Sequence, residues 1–121
     1  MNYENMSDFE INKAVCATKG VKIDNEQYEG LRDRDERIVL CRDELGMSIG
    51  VDYCNNPSDA WPIIIKNKVS IMNDLDLWEA SIDFDGDLEK HGTDEVLTKH
   101  YEHANPLRAA MIVYLMLQDE L

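Results

Sequence analysis

Hydrophobic positions along this chain follow two periods in turn. Ile11, Ala14, Val15 and Thr18 recur at the i, i+3, i+4, i+7 spacing of a helix, with Phe9 and Cys16 widening the stripe. Ser7 and Glu10 have the spacing of a capping box and Met6 with Ile11 that of a hydrophobic staple, so a helix is predicted over residues 6–20, ended by Gly20. Residues 21–37 carry a weak pattern that reads as a loop with room for one helical turn. Residues 38–42 and 47–53 then read as a hairpin, the second strand alternating Met47, Ile49, Val51 and Tyr53 against Ser48, Gly50 and Asp52.

Two Asn-Pro openings start helices. Asn56 is suited to cap, Pro57 to the first helical position and Asp59 to the first turn, where the helix dipole favours an acid. Pro62 removes a backbone donor inside this helix, so a kink or a restart at Trp61 is expected before residues 63–66 complete it. A second hairpin is predicted from residues 68–72 and 77–84, where Trp78, Ala80, Ile82 and Phe84 alternate with Glu79, Ser81 and Asp83. Thr93 suggests the cap of a short helix through His100. Asn105-Pro106 opens the last helix, which is apolar nearly all round from Leu107 to Leu117. Such a helix is either central in the fold or half of a subunit contact. The sum is an α+β domain: an antiparallel sheet of about four strands from two hairpins, covered by three or four helices.

Composition narrows the picture. The chain has 121 residues, the size of one domain, with 44% apolar and 31% charged residues. Twenty-five acids against 12 basic residues give a net charge of -13, a field that repels phosphate backbones and anionic membranes and favours basic partners. Residues 73–95 hold nine acids opposed only by Lys90. A solvated face and an imitation of nucleic-acid phosphate both explain that density. Three cysteines without C-x-x-C spacing, an N-terminus without signal-peptide pattern and a longest apolar run of nine residues imply reduced thiols in a cytoplasmic protein with no membrane span.

Candidate chemistry is sparse. His100 and His103 would share one side of a helix and, with His91, Glu95 or Glu102, could bind a transition metal, although exposed histidines explain the same residues. DFDGDLE from Asp83 resembles a calcium loop, but Gly86 is fourth where the sixth position is required and Asp94 occupies the glutamate slot. Cys54, just before a helix start whose dipole would lower its pKa, is the best thiol nucleophile; a small core residue is the plainer account. There is no Gly-rich phosphate loop, G-x-S-x-G or H-E-x-x-H, so no catalytic, cofactor-binding or metal residue is assigned. Asp52, Tyr53, Asn55, Asp59 and Trp61 crowd polar and aromatic groups at a strand-to-helix junction and form the candidate interaction site, with caps and turn chemistry as the structural account of the same residues.

The blocks DYCNNPSDAWPIII and NPLRAAMIVYLMLQ, together with MSDFEINKAV at residues 6–15, make the chain resemble the NinX-like family of small bacteriophage and prophage proteins over nearly its whole length. The resemblance implies a phage accessory protein with a fold similar to the phage alpha-beta-alpha sandwich domains, and it brings no catalytic residues. The leading expectation is a non-enzymatic interaction module in the host bacterial cytoplasm, binding a host or phage protein. Alternatives are an inhibitor that mimics nucleic acid in the groove of a nuclease or defence protein, a small metal- or thiol-dependent enzyme, and a homo-oligomer through the C-terminal helix.

Overall fold

The computed structural model describes residues 2–23 and 37–121, so most of the predicted loop at residues 21–37 lies outside the described residues. After a single turn at Tyr3–Asn5, helix α1 spans Asp8–Thr18. Ser7 caps it: its Oγ accepts from the Glu10 N–H at 3.1 Å and donates to Glu10 Oε1 at 3.3 Å. Gly20 follows in the left-handed conformation at φ +70°. Strands β1 (Val39–Arg42) and β2 (Ser48–Val51) pair antiparallel from Val39↔Val51 to Arg42↔Ser48. Asp43 Oδ1 holds the connection by accepting from the N–H groups of Leu45 and Met47, both at 2.9 Å. The second strand stops short of Tyr53 because Asn55 and Asn56 both donate back to the Asp52 carbonyl.

Helix α2 covers Pro57–Asn67 without a break, so the restart expected at Trp61 does not occur. Pro62 and Ser58 are both exposed residues, so the donor that Pro62 removes from the Ser58 carbonyl is lost at the solvent side of the helix rather than in the core. Lys68, at φ +54°, closes the helix. Strands β3 (Ser70–Asp74), β4 (Leu77–Asp85) and β5 (Val96–His103) form a three-stranded antiparallel sheet in that order. The turn between β3 and β4 holds Leu75 at φ +56°, a conformation that costs a residue with a Cβ about 1–2 kcal/mol relative to glycine.

The α+β class stands, with five strands in two sheets among the described residues. The extra strand corrects the helix expected from Thr93 through His100: that stretch enters β5, and Thr93 merely turns the chain by accepting from the Glu95 N–H at 3.1 Å. Residues 96–103 alternate exposed and half-buried along their length. Helix α3, Leu88–His91, is capped by Asp87.

Helix α4, Pro106–Glu120, is the centre of the fold. It packs on β4 and β5 and also touches α1 and α2, so that every residue from Arg108 to Leu115, and Leu117, is buried. Ile11 and Val15 of α1, Ala60, Ile63 and Ile64 of α2, and Ala80 and Ile82 of β4 complete the core. Of the two readings of an all-round apolar helix, the structure shows the central one.

Gly86 permits the return from β4. A Cβ there would sit 2.6 Å from the Thr93 carbonyl oxygen and 2.7 Å from that of Glu95, both main-chain atoms, while the Gly86 N–H donates to the Glu95 carbonyl at 2.9 Å. Gly86→Ala should therefore destabilise the protein by about 2–3 kcal/mol, read as a lower urea midpoint at unchanged slope.

Candidate functional site

The strand-to-helix junction after β2 lies where three helices begin. Asp8 is the first residue of α1, Asn56 caps α2 by accepting from the Ser58 N–H at 3.0 Å, and Asn105 caps α4 by accepting from the N–H groups of Leu107 and Arg108. Helix starts present unpaired N–H groups and partial positive charge, which accounts for the acids and amides gathered among them.

Side chains tie the three starts together. Asn12, completely buried on α1, donates from Nδ2 to Asp52 Oδ1 at 2.7 Å and to the Arg37 carbonyl at 2.9 Å, while its Oδ1 accepts from the Cys54 N–H at 3.0 Å. Asn55 Nδ2 lies 3.0 Å from both Asp8 Oδ2 and Asp52 Oδ1. Asn105 Nδ2 donates to the Cys54 carbonyl at 2.7 Å, and the Asp52 N–H donates to Asp59 Oδ2 at 2.9 Å. Arg108 donates to Asp8 Oδ1 at 2.6 Å and to the main-chain carbonyls of Tyr3 and Met6 at 2.9 and 2.6 Å.

Of the five residues named from the sequence, Asp52, Asn55 and Asp59 meet in this network. Tyr53 is buried beside it with Lys19 Nζ 5.5 Å from its ring centroid, and burial raises its phenol pKa. Trp61 stands apart on α2, 56% exposed. Asn12 and Arg108 were missed: a polar residue inside an amphipathic stripe carries no sequence signal of its own, although the Ser7-Asp8 cap marks the place Arg108 reaches.

Cys54 is fully buried, and burial, then the neighbouring Asp8 charge, pushes its thiol up to about 12, partly offset by Arg108. This reverses the lowered pKa expected from the helix dipole: desolvation of a thiolate outweighs it. The histidines do not share a helix face. His100 and His103 sit on β5 and, three apart on a strand, point to opposite sides. His103 Nδ1 accepts from the Asn105 N–H, while His91 at the end of α3 accepts from the Asp87 N–H and bonds Glu120 Oε2 at 2.6 Å. DFDGDLE divides between the end of β4 and the cap of α3, with Asp83 accepting from the Thr98 hydroxyl at 2.6 Å.

A second feature is the outer face of the three-stranded sheet. Residues of β4 that alternate with buried Ala80 and Ile82 point away from α4, and the register places Asp74, Glu79, Asp83 and Asp85 with Glu102 and His100 on that side. Carboxylate oxygens of Asp74, Glu79 and Glu102 lie within 4.8 Å of one another. A third is a cavity of about 520 Å³ between the end of α1, α2 and α4, lined by Thr18, Lys19, Pro62, Lys66 and Tyr114 among others.

Taken together, these features describe a small α+β protein built round a shared helix-start junction, with no helix among the described residues long and apolar enough to cross a membrane. The chain belongs to the family described as Bacteriophage P22, NinX, whose model matches residues 2–118, and membership supports a phage-encoded accessory protein. No curated protein matches it.

The junction and the far end of α4 each hold a carboxylate with a pH signature. Burial opposes ionisation of Asp8, but hydrogen bonds from Asn55 and Arg108 outweigh it and hold its pKa below the usual carboxylate value; Glu120 is held low by Lys99 and His91. Stabilisation from such groups is complete above the unfolded carboxylate range of ~4 and is lost as pH falls through the lower folded values. Urea midpoints should drop from pH 5 toward pH 2. Asp8→Asn should cost about 2 kcal/mol at pH 7 and flatten that acid limb. Iodoacetamide at pH 8 should leave Cys16, Cys41 and Cys54 unmodified until denaturant is added, since all three are buried.

Proposed function

We propose that the protein is a non-enzymatic interaction module that engages a basic surface of a host or phage protein through the outer face of β3–β4–β5. The observation carrying this reading is the sharing of one solvated sheet face by Asp74, Glu79, Asp83, Asp85 and Glu102. Such a face makes the local potential negative, steers a positively charged partner and repels nucleic acid and anionic lipid. The polar groups of the junction, by contrast, are engaged with one another and with helix-start N–H groups. A thiol enzyme built on Cys54 gains no support from a buried thiol with a raised pKa.

The same face favours a narrower version, in which the carboxylates occupy the basic groove of a nuclease or defence protein. That version adds one requirement: duplex DNA must compete for the partner.

Neutralising the face tests both. The variant carrying Glu79→Gln, Asp83→Asn, Asp85→Asn and Glu102→Gln should retain the fold and lose about tenfold or more in affinity for proteins captured from host lysate at 50 mM salt. The wild type should lose the same proteins steeply by 300 mM. Identical partners at equal affinity for both forms would remove the proposal, and partners indifferent to duplex DNA would remove the narrower version alone.

A further inference from the structure

The β3–β4 turn and the adjoining β4–β5 pairing carry two features from which the isolated chain gains nothing. Leu75 is 89% exposed and held in the left-handed region at φ +56°, where glycine or asparagine fits without the same strain and where its side chain reaches no core. Directly across the sheet, Glu79 pairs with Glu102, a like-charge cross-strand pair that repels itself and is crowded further by Asp74.

These features are contiguous. Met72 pairs with Glu79 and Leu77 with Asp74, so the register puts Met72 (63% exposed) and Leu77 (38% exposed) on the same outer face as the three carboxylates, next to the turn that presents Leu75. The result is a protruding apolar tip bordered by negative charge. Interfaces put their binding energy into such anchors: a central apolar group fills a pocket, and charges at the rim set orientation and partner choice.

We infer that Met72, Leu75 and Leu77 form a docking tip that inserts into an apolar pocket bordered by Lys or Arg side chains on a partner protein. Charge complementarity selects that occupant. A second copy would bring carboxylates against carboxylates in a chain of net charge -13, and an anionic membrane would meet the same repulsion. The inference rests on the acidic-face reading above and adds the anchor that gives the face a position and a register. A cationic rim on the partner would turn the Glu79–Glu102 repulsion into attraction on both sides.

A photo-crosslinking amino acid placed at position 75 of the full chain, and at Leu45 on the other hairpin as a control equally exposed at 87%, tests this in host cells. The expected result is an adduct at position 75 and not at 45, with one protein, mapped to an apolar site flanked by basic residues. That protein, purified, is then titrated with the wild type, Leu75→Asn, and Glu79→Gln/Glu102→Gln. Leu75→Asn should weaken binding about tenfold while raising the melting temperature by about 3 °C, since asparagine tolerates the left-handed turn. Glu79→Gln/Glu102→Gln should likewise stabilise the fold and weaken binding.

Affinity changed less than twofold by Leu75→Asn, but lowered by the charge variant, would overturn the anchor and leave the acidic face standing. Indifference to both variants would overturn both. No adduct, an adduct with a second copy of the chain, or equal adducts at positions 45 and 75 would each overturn the docking tip.

Discussion

The contact between the buried Arg108 and the part-buried Asp8 is the constraint on which the arrangement of the helices depends. Arg108 lies in the first turn of α4, where the helix dipole disfavours a cation, and its side chain is only 8% exposed. It is there because Asp8, at the start of α1, and the carbonyls of Tyr3 and Met6 surround it with acceptors. An arginine buried without these acceptors would cost several kcal/mol, on the order of 3–5. One guanidinium therefore ties the N-terminal turn, α1 and α4 together, even though its buried Nε has no hydrogen-bond partner among the described residues. Tyr3 adds a second tie to α4 through Asp119 at 3.0 Å, and burial together with that carboxylate pushes its phenol up to about 12.

With α4 fixed, the rest of the architecture follows from what its surface must cover. Its apolar residues lie on all sides, so the sheet must take one side and α1 and α2 must share others. The inner positions of β4 are accordingly small or aliphatic, Ala80 and Ile82, and the opposite positions are left to water. Lys99 and His91 reach the same carboxylate, Glu120 near the end of α4, binding β5 and α3 to the helix by its polar end.

Local chemistry makes much of this legible in the sequence. The Ser7 and Asn-Pro caps are decided by residues adjacent in the chain, and the alternation of Trp78 to Phe84 reports a sheet with one wet face. Strand β5 was hidden because two of its half-buried positions are Lys99 and His103, whose polar ends find Glu120 and the Asn105 N–H only after the chain has folded. Without those partners the segment reads as polar, and Thr93 resembles a cap. Asn12 was hidden for the same reason: its acceptors and donor, on Asp52, Arg37 and Cys54, are 25 to 42 residues distant. Candidate residues at the junction were found by their density, but density alone cannot separate polar groups that serve a ligand from polar groups that serve three helix ends.

The fold places its acids in two different electrostatic settings. A net charge of a few units is enough to keep a small domain dispersed, and that purpose is best served by charges interspersed with opposite sign. Here Asp74, Glu79 and Glu102 are brought close enough to repel, on a sheet whose cross-strand pairs would be more stable with one of them neutral or basic. The junction shows the same chain using acids differently, with Asp8 and Asp52 each accepting hydrogen bonds from side-chain donors. One population of carboxylates is therefore matched inside the molecule, and another is left mutually opposed on its surface.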